Sequence, residues 1–323
     1  MNDSIYLIIN YDRSSTRHYH ITHIFDYLTS LSNTKYFYID YDEFIFHLSN
    51  IENLNKFFIS KFNKIPKYII SYSGVSKFNP FYKIINQLTK LIFIIDDIHH
   101  AKSVRTPRIP VIKNSEIIFC TYSYQFEKWG LPKPKNLYFF PHSCRWICDY
   151  NDNPINKILI SGRISDIYPD RKFAYSYAVN NPDIFDSLKC NFNYRLNDED
   201  INYNSQLIYG EKYYKYLNKY LCCFVDTARD YILAKIFEIC GSGSLLLCMD
   251  TNVKNIMKEL GFIENINYIS CSKNNFDEKI KYITNKDNID NINLIRKNGY
   301  LLIKNNHTWD KRMEFFINII ENN

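Results

Sequence analysis

No stretch of this 323-residue chain approaches the ~18 consecutive apolar residues of a membrane-spanning helix. The opening MNDSIYLIINYDRSS lacks the basic region and cleavage site of a secretory leader. Nine cysteines are present without one C-x-x-C pair, which argues against a zinc site and a secreted disulfide framework. Cys120, Cys240 and Cys248 sit in apolar runs and read as small core residues. A reducing, cytoplasmic compartment is therefore expected, with a peripheral position at a membrane left open. Basic residues outnumber acidic ones to give a net charge of +6, but no long basic block exists. The interleaved Lys and Tyr of EKYYKYLNKY (Glu211–Tyr220) is a run that 28 tyrosines produce by chance, so no nucleic-acid partner is expected. Glycine is scarce, at 8 residues, and no internal repeat is visible.

What is there suits a globular protein. The chain is 46% hydrophobic and 17% aromatic, enough for a sizeable core, and its length allows two domains. The first half alternates short apolar runs with amphipathic stretches. SIYLIIN (Ser4–Asn10), KYFYID (Lys35–Asp40), KYIISYS (Lys67–Ser73), KLIFIID (Lys90–Asp96) and SEIIFCT (Ser115–Thr121) read as strands. HITHIFDYLTSL (His20–Leu31) and NPFYKIINQLTK (Asn79–Lys90) read as helices. Uniformly apolar strands separated by helices indicate a parallel sheet covered on both faces, a Rossmann-like half.

After the proline-rich GLPKPKNLYFFPHS (Gly130–Ser143) and the polar DYNDNP (Asp149–Pro154), taken as a linker, the pattern restarts. NKILISG (Asn156–Gly162), SLKCNFNY (Ser187–Tyr194), YLCCFVD (Tyr220–Asp226), GSLLLCMD (Gly243–Asp250) and NYISCS (Asn267–Ser272) supply a second set of strands. EKIKYITN (Glu278–Asn285) and WDKRMEFFINIIEN (Trp309–Asn322) read as closing helices. The expected architecture is α/β: two doubly wound Rossmann-like domains, 1–152 and 153–308, with a ligand in the cleft between them. The last helix, from about 309 to 323, is expected to join the first domain.

The stretch ARDYILAKIFEICGSGSLLLCMD (Ala228–Asp250) poses the functional question. If YILAKIFEIC is a helix, Asp230 caps its start and Glu238 lies about two turns on, roughly on the same side. The last turn is a poor place for an acid, because it meets the negative end of the helix dipole. Glu238 is then either a solvated surface acid or a group that accepts hydrogen bonds from a ligand. In IIDDIHH (Ile94–His100), acids and histidines follow a strand directly, where cleft residues collect. Asp97, His99 or His100 there is a candidate proton acceptor, since histidine titrates near ambient pH. A capping loop is the plainer reading, and a metal site lacks an evident distant ligand.

The acid, seven residues, FE, a glycine turn and an apolar strand resemble the E-x7-E region of group 1, GT4-like glycosyltransferases of the GT-B fold. The branch most similar is that of CgeB-like spore-maturation proteins. The resemblance implies that Glu238 holds the ribose of a nucleotide-sugar and that Asp230 lies near the transferred sugar. Asp230 stands where the family has Glu, and Lys235 where Arg is common. ILISGRISDIYPDRK (Ile158–Lys172) resembles the strand–Gly–Arg opening of the donor domain. That places Gly162, Arg163, Arg171 and Lys172 near the pyrophosphate, with Lys235, Gly241, Gly243 and Ser244 completing the donor side. Fixed cations there would stabilise the departing diphosphate, and no metal or other cofactor is expected. FFPHS (Phe139–Ser143) resembles an element that turns His142 toward the cleft, and HTWDKR (His307–Arg312) resembles the opening of the final helix. Thr308 reads as a cap and His307 as structural. The glycine-rich loop common after the first strand is missing; NYDRSSTRHYH (Asn10–His20) takes its place.

The resemblance implies retaining, metal-independent transfer of a sugar from a UDP- or GDP-sugar to the hydroxyl of a glycan, protein or lipid-linked acceptor. Candidate catalytic residues are His99, Asp97, His142 and Asp230. Two other readings stay open. One is a catalytically inactive nucleotide- or sugar-binding relative. The other is a metal-dependent GT-A transferase with Asp40 and Asp42 as its D-x-D. Oligomeric state leaves no mark in the sequence.

Overall fold

The computed structural model describes residues 4–10, 19–32, 34–72, 82–96, 98, 102–189, 208, 210–227, 230–250 and 252–323. The chain divides into two compact units, Met1–Pro141 and His142–Asn323. Each is built on one parallel sheet.

In the first unit, strands β1 (Tyr6–Asn10), β2 (Tyr36–Asp40), β3 (Tyr68–Tyr72), β4 (Lys90–Ile95), β5 (Ile117–Cys120) and β6 (Leu137–Phe139) stand in the order β2-β1-β3-β4-β5-β6. Leu91 to Ile95 is buried throughout, as an apolar run covered on both faces must be. Tyr6 pairs with Tyr36 on one side and Tyr68 on the other, and its ring stacks on both at 5.2 and 6.2 Å. Helices α1 (Tyr19–Leu31), α2 (Tyr41–Phe46), α3 (Ile51–Phe62), α4 (Tyr82–Leu88) and α5 (Lys102–Asn114) connect the strands. Asn50 caps α3 by accepting from the Asn53 amide, and Asn63 ends it in a left-handed conformation.

In the second unit, β7 (Ile155–Gly162), β8 (Phe185–Lys189), β9 (Tyr220–Val225), β10 (Leu245–Met249) and β11 (Ile269–Cys271) stand in the order β11-β10-β9-β7-β8. Part of the strand expected over 187–194 lies outside the described residues, and the described part begins two residues earlier than expected. Helices α6 (Pro169–Val179), α7 (Glu211–Leu217), α8 (Ala234–Gly241), α9 (Lys254–Glu259), α10 (Phe276–Thr284), α11 (Ile289–Asn306) and α12 (Trp309–Asn322) cover the sheet. Phe276 centres one side of the core, with the rings of Phe173, Tyr177, Phe185 and Phe224 around it.

The stretch from His142 to Pro154, an arm that precedes β7, belongs to this unit. Cys144 forms a strand-like bridge with Thr308, and the Tyr150 hydroxyl donates to the Asn293 carbonyl. Arg296, 1% exposed, donates to the carbonyls of Gly243 and Asn151, and its guanidinium lies 4.5 Å from the Tyr150 ring. Gly299 lets α11 come close to the chain: a Cβ there would stand 2.6 Å from the Asn267 carbonyl oxygen. Eight cysteines are described, all of them free thiols; seven are buried and Cys148 is half-buried.

Both sheets are doubly wound. The chain steps from β7 out to β8, then returns to the other side of β7 for β9, β10 and β11. The carboxyl ends of β7 and β9 therefore flank a point where crossovers diverge and a crevice opens, the preferred ligand position in such sheets.

Candidate functional site

At the end of β7 the chain turns at Gly162, with φ of 114°, a region that favours glycine. The turn also leaves no room for a side chain. A Cβ there would lie 2.8 Å from the Lys235 Nζ and 2.9 Å from a terminal nitrogen of Arg171. Lys235 comes from α8 and donates to the Ser161 carbonyl at 2.5 Å and its hydroxyl at 3.2 Å. Ser161 Oγ in turn meets the Tyr213 hydroxyl at 2.9 Å. Two cations thus converge on one glycine turn at the strand's carboxyl end.

Arg171 is held from behind. It is 5% exposed, and its guanidinium pairs with Asp226, itself 2% exposed, at 2.6 Å. The same carboxylate accepts from the Arg171 amide at 3.3 Å, so it also faces the positive end of α6. Arg171 donates to the Arg163 carbonyl at 3.1 Å and stacks over Tyr168 at 4.2 Å. A buried pair of this kind fixes geometry more surely than it stabilises. In this structure Arg171 shapes the turn that carries Arg163, where the sequence suggested direct grip of a pyrophosphate. Lys172 points outward and pairs with Asp166, which lowers that carboxyl's pKa.

The stretch that raised the question is only partly helical. α8 begins at Ala234 with Leu233 as its N-cap and no side-chain cap. Asp230 lies four residues before, in a left-handed conformation with φ of 60°, and accepts from the Asn252 side chain at 3.2 Å. The expected cap is therefore absent. The expected sharing of one helix face with Glu238 is absent too, because residues 231–233 between them are not helical.

Glu238 occupies the last turn of α8. It is half-buried, and loss of hydration raises its pKa to about 7 against the opposing charge of Lys235, one turn before it. Its charge acts on Tyr214 from α7 and on Cys144 from the arm, both of whose pKa values are raised chiefly by burial. Among the described residues its carboxylate makes no hydrogen bond. A desolvated acid at the negative end of a helix, beside one lysine, is well placed to accept from a hydroxyl-bearing ligand.

Structural contacts engage the other predicted residues. A Cβ at Gly241 would stand 2.1 Å from the Cys144 Sγ, so glycine there lets the arm lie on α8. Gly243 turns with φ of 84°. Ser244 is buried and donates to the carbonyls of Leu217 and Tyr220 at 2.6 and 2.9 Å. Thr308 caps α12 by accepting from the Lys311 amide at 3.3 Å. His307 is buried between Phe237 and Phe262, with Nε2 2.7 Å from the Leu260 carbonyl oxygen. His142 is half-buried, and its carbonyl accepts from Arg312 at 3.4 Å. Asp40 caps α2, accepting from the Asp42 amide at 2.9 Å. Asp97, His99 and His100 lie outside the described residues.

Sequence reasoning missed Asp226, Tyr213 and Tyr214. Asp226 had a signal: it is an acid directly after an all-buried apolar strand, where a side chain must be paired. The tyrosines had none, being two among 28.

No family model matches the chain, and no curated protein matches it. Solved structures do. The Anabaena protein Alr3699/HepE in complex with UDP-glucose is similar with a TM-score of 0.64 at 8% identity, over 99% of this chain and 100% of that one. Sucrose-phosphate synthase from Thermosynechococcus elongatus gives 0.62 at 8% identity, over 98% of each. The pneumococcal O-GlcNAc transferase GtfA, in complex with UDP and GlcNAc, gives 0.53 at 14% identity over 84% of this chain. This chain spans 60% of the length of that GtfA chain, and likewise 60% of the matching chain in the GtfA/B complex. At such identities the likeness is one of fold: α/β, of the GT-B class, with two Rossmann-like units.

Proposed function

We propose that this chain transfers a sugar from a nucleotide-sugar donor to an acceptor hydroxyl. The observation that carries the reading is the position of Glu238. It is a desolvated carboxylate without a hydrogen-bond partner among the described residues, one helical turn from Lys235, which itself reaches the Gly162 turn at the carboxyl end of β7. A ribose offers two hydroxyl donors to such a group, and a diphosphate beside it would meet Lys235 and the turn that Arg163 opens. The neighbours in complex with UDP, UDP-glucose or GlcNAc support the same class of ligand.

In this reading Arg171 and Asp226 act as positioning residues: they hold the Arg163 carbonyl and the start of α6, and leave the leaving-group contacts to Arg163 and Lys235. Growing negative charge on the departing diphosphate is stabilised by cations already fixed in place, so the reaction needs no metal. Asp230 stands beside the transferred sugar. The acceptor hydroxyl gives its proton to one of the candidates read from the sequence, Asp97, His99 or His142. Retention of configuration follows from the resemblance to group 1 enzymes.

The test is a thermal-shift series with UDP, GDP and their common sugar conjugates on wild type and Glu238→Ala. A ligand at a hundred times its Kd stabilises the fold by about 2.7 kcal/mol. One nucleotide series should stabilise wild type and leave the variant unmoved. If no nucleotide moves wild type, the donor site is wrong. Nucleotide binding without sugar turnover on any acceptor would instead mark an inactive binding protein.

A further inference from the structure

Arg312 is a cation in an unfavourable place. α12 turns Met313, Phe316, Ile319 and Ile320 inward. Arg312 precedes Phe316 by four residues and Ile319 by seven, so it shares that apolar face. It also stands in the first turn, at the positive end of the helix dipole, where a second positive charge is disfavoured. Burial alone lowers its pKa to about 10, and among the described residues no carboxylate pairs with it.

Its surroundings supply acceptors but no charge. One terminal nitrogen donates to His307 Nδ1 at 3.3 Å and to the His142 carbonyl at 3.4 Å. The Leu260 carbonyl can only accept, so His307 Nε2 carries the proton, and a guanidinium can only donate, so Nδ1 is bare. His307 is thus a neutral ring, and its pKa is lowered, mainly by burial. The Arg312 Nε is buried with no hydrogen-bond partner. A guanidinium offers five donors, and here one nitrogen is satisfied. His307 is itself clamped by the rings of Phe237 and Phe262, so the cation is held still.

We propose that Arg312 anchors an anion site in the second unit, where a phosphate or carboxylate oxygen takes the unfilled terminal donors of the guanidinium beside the His142 carbonyl and the neutral His307. The planar fork suits a two-oxygen anion, and the frame of His307 and the arm pre-sets its direction. The site stands independently of the nucleotide-sugar reading. The anion is either free inorganic phosphate or the phosphate of a larger ligand.

The test uses the full chain as wild type, Arg312→Gln and Arg312→Lys. Melting is followed against sodium phosphate, with sodium chloride matched for ionic strength, and against UDP and uridine. Wild type should be stabilised by phosphate, by UDP, or by both, and Arg312→Gln should lose that response by tenfold or more in midpoint concentration. Arg312→Lys keeps the charge without the fork and should fall between. Loss of the phosphate response points to the free anion. Loss of the UDP response with uridine unchanged points to the phosphate of a larger ligand. Without anion, Arg312→Gln should melt no lower than wild type, whereas an arginine serving packing alone would lower it. Equal phosphate and UDP responses in all three chains overturn the proposal. Should Arg312→Gln not fold, an Arg312→Lys response equal to wild type does the same.

Discussion

Glu238 should make both the empty fold and donor binding depend on pH, in opposite senses. Its pKa is raised from 4.5 to about 7 by burial. Between those values the folded chain holds a proton that the unfolded chain has released. Stability therefore falls as pH rises from about 4.5 through 7 and is level above. The shift corresponds to roughly 1–3 kcal/mol once partial exposure is allowed for. Glu238→Gln removes the titration, so the empty variant should melt several degrees higher than wild type at pH 8, at about 2–4 °C per kcal/mol. The two should converge near pH 5. Ribose hydroxyls need the ionised carboxylate as acceptor. At pH 8 about nine-tenths of Glu238 is ionised and at pH 6 about one-tenth, so the nucleotide Kd should weaken roughly tenfold over that span. Calorimetric titration at three pH values, on both chains, measures this. A pH-independent Kd, or equal nucleotide affinity in Glu238→Gln, refutes the reasoning.

Asp226→Asn leaves the Arg171 guanidinium buried without its counter-ion, and urea unfolding should show a loss of about 3–5 kcal/mol. Gly162→Ala forces a Cβ against Lys235 and Arg171 at a φ of 114°; it should cost about 1–3 kcal/mol and weaken nucleotide binding in the same thermal-shift series. Lys172→Ala should change neither melting nor nucleotide affinity, because its ion pair with Asp166 is exposed; a weakened nucleotide response would return Lys172 to the site.

The strands were legible because a covered parallel strand writes itself as an unbroken apolar run: Lys90–Ile95 and Tyr220–Val225 need no context to be read. α5 was not, since it runs through Pro107 and Pro110, which remove two donors from its ladder. α11 was hidden by composition: its inner face is spread over Ile292, Ile295, Arg296, Gly299, Tyr300 and Ile303, and two of those six read as surface or turn residues. The site was half legible. Glu238 stood out as an acid in the last turn of a helix before a glycine turn, and Lys235 through the resemblance to group 1 enzymes. The fate of Arg171 depended on Asp226, 55 residues away, and no local pattern reports a partner at that distance. The start of α8 was misjudged for a similar reason. Tyr231 and Ile232 are apolar and fit a helical stripe, but both are buried in a turn that Asp230 enters with positive φ.

The sequestered thiols give the chain a clock for its own opening. Burial raises the pKa of every described cysteine and keeps the reactive thiolate scarce. An alkylating reagent added to the native protein therefore has Cys148 as its one half-open target among these eight and must wait for the others. Cys222, Cys223 and Cys248 lie on the central strands of the second sheet, Cys120 on the first, and Cys240 on the helix that carries Glu238. The order in which mass is gained reads out which sheet parts first and how fast, in the unaltered chain, with no introduced label.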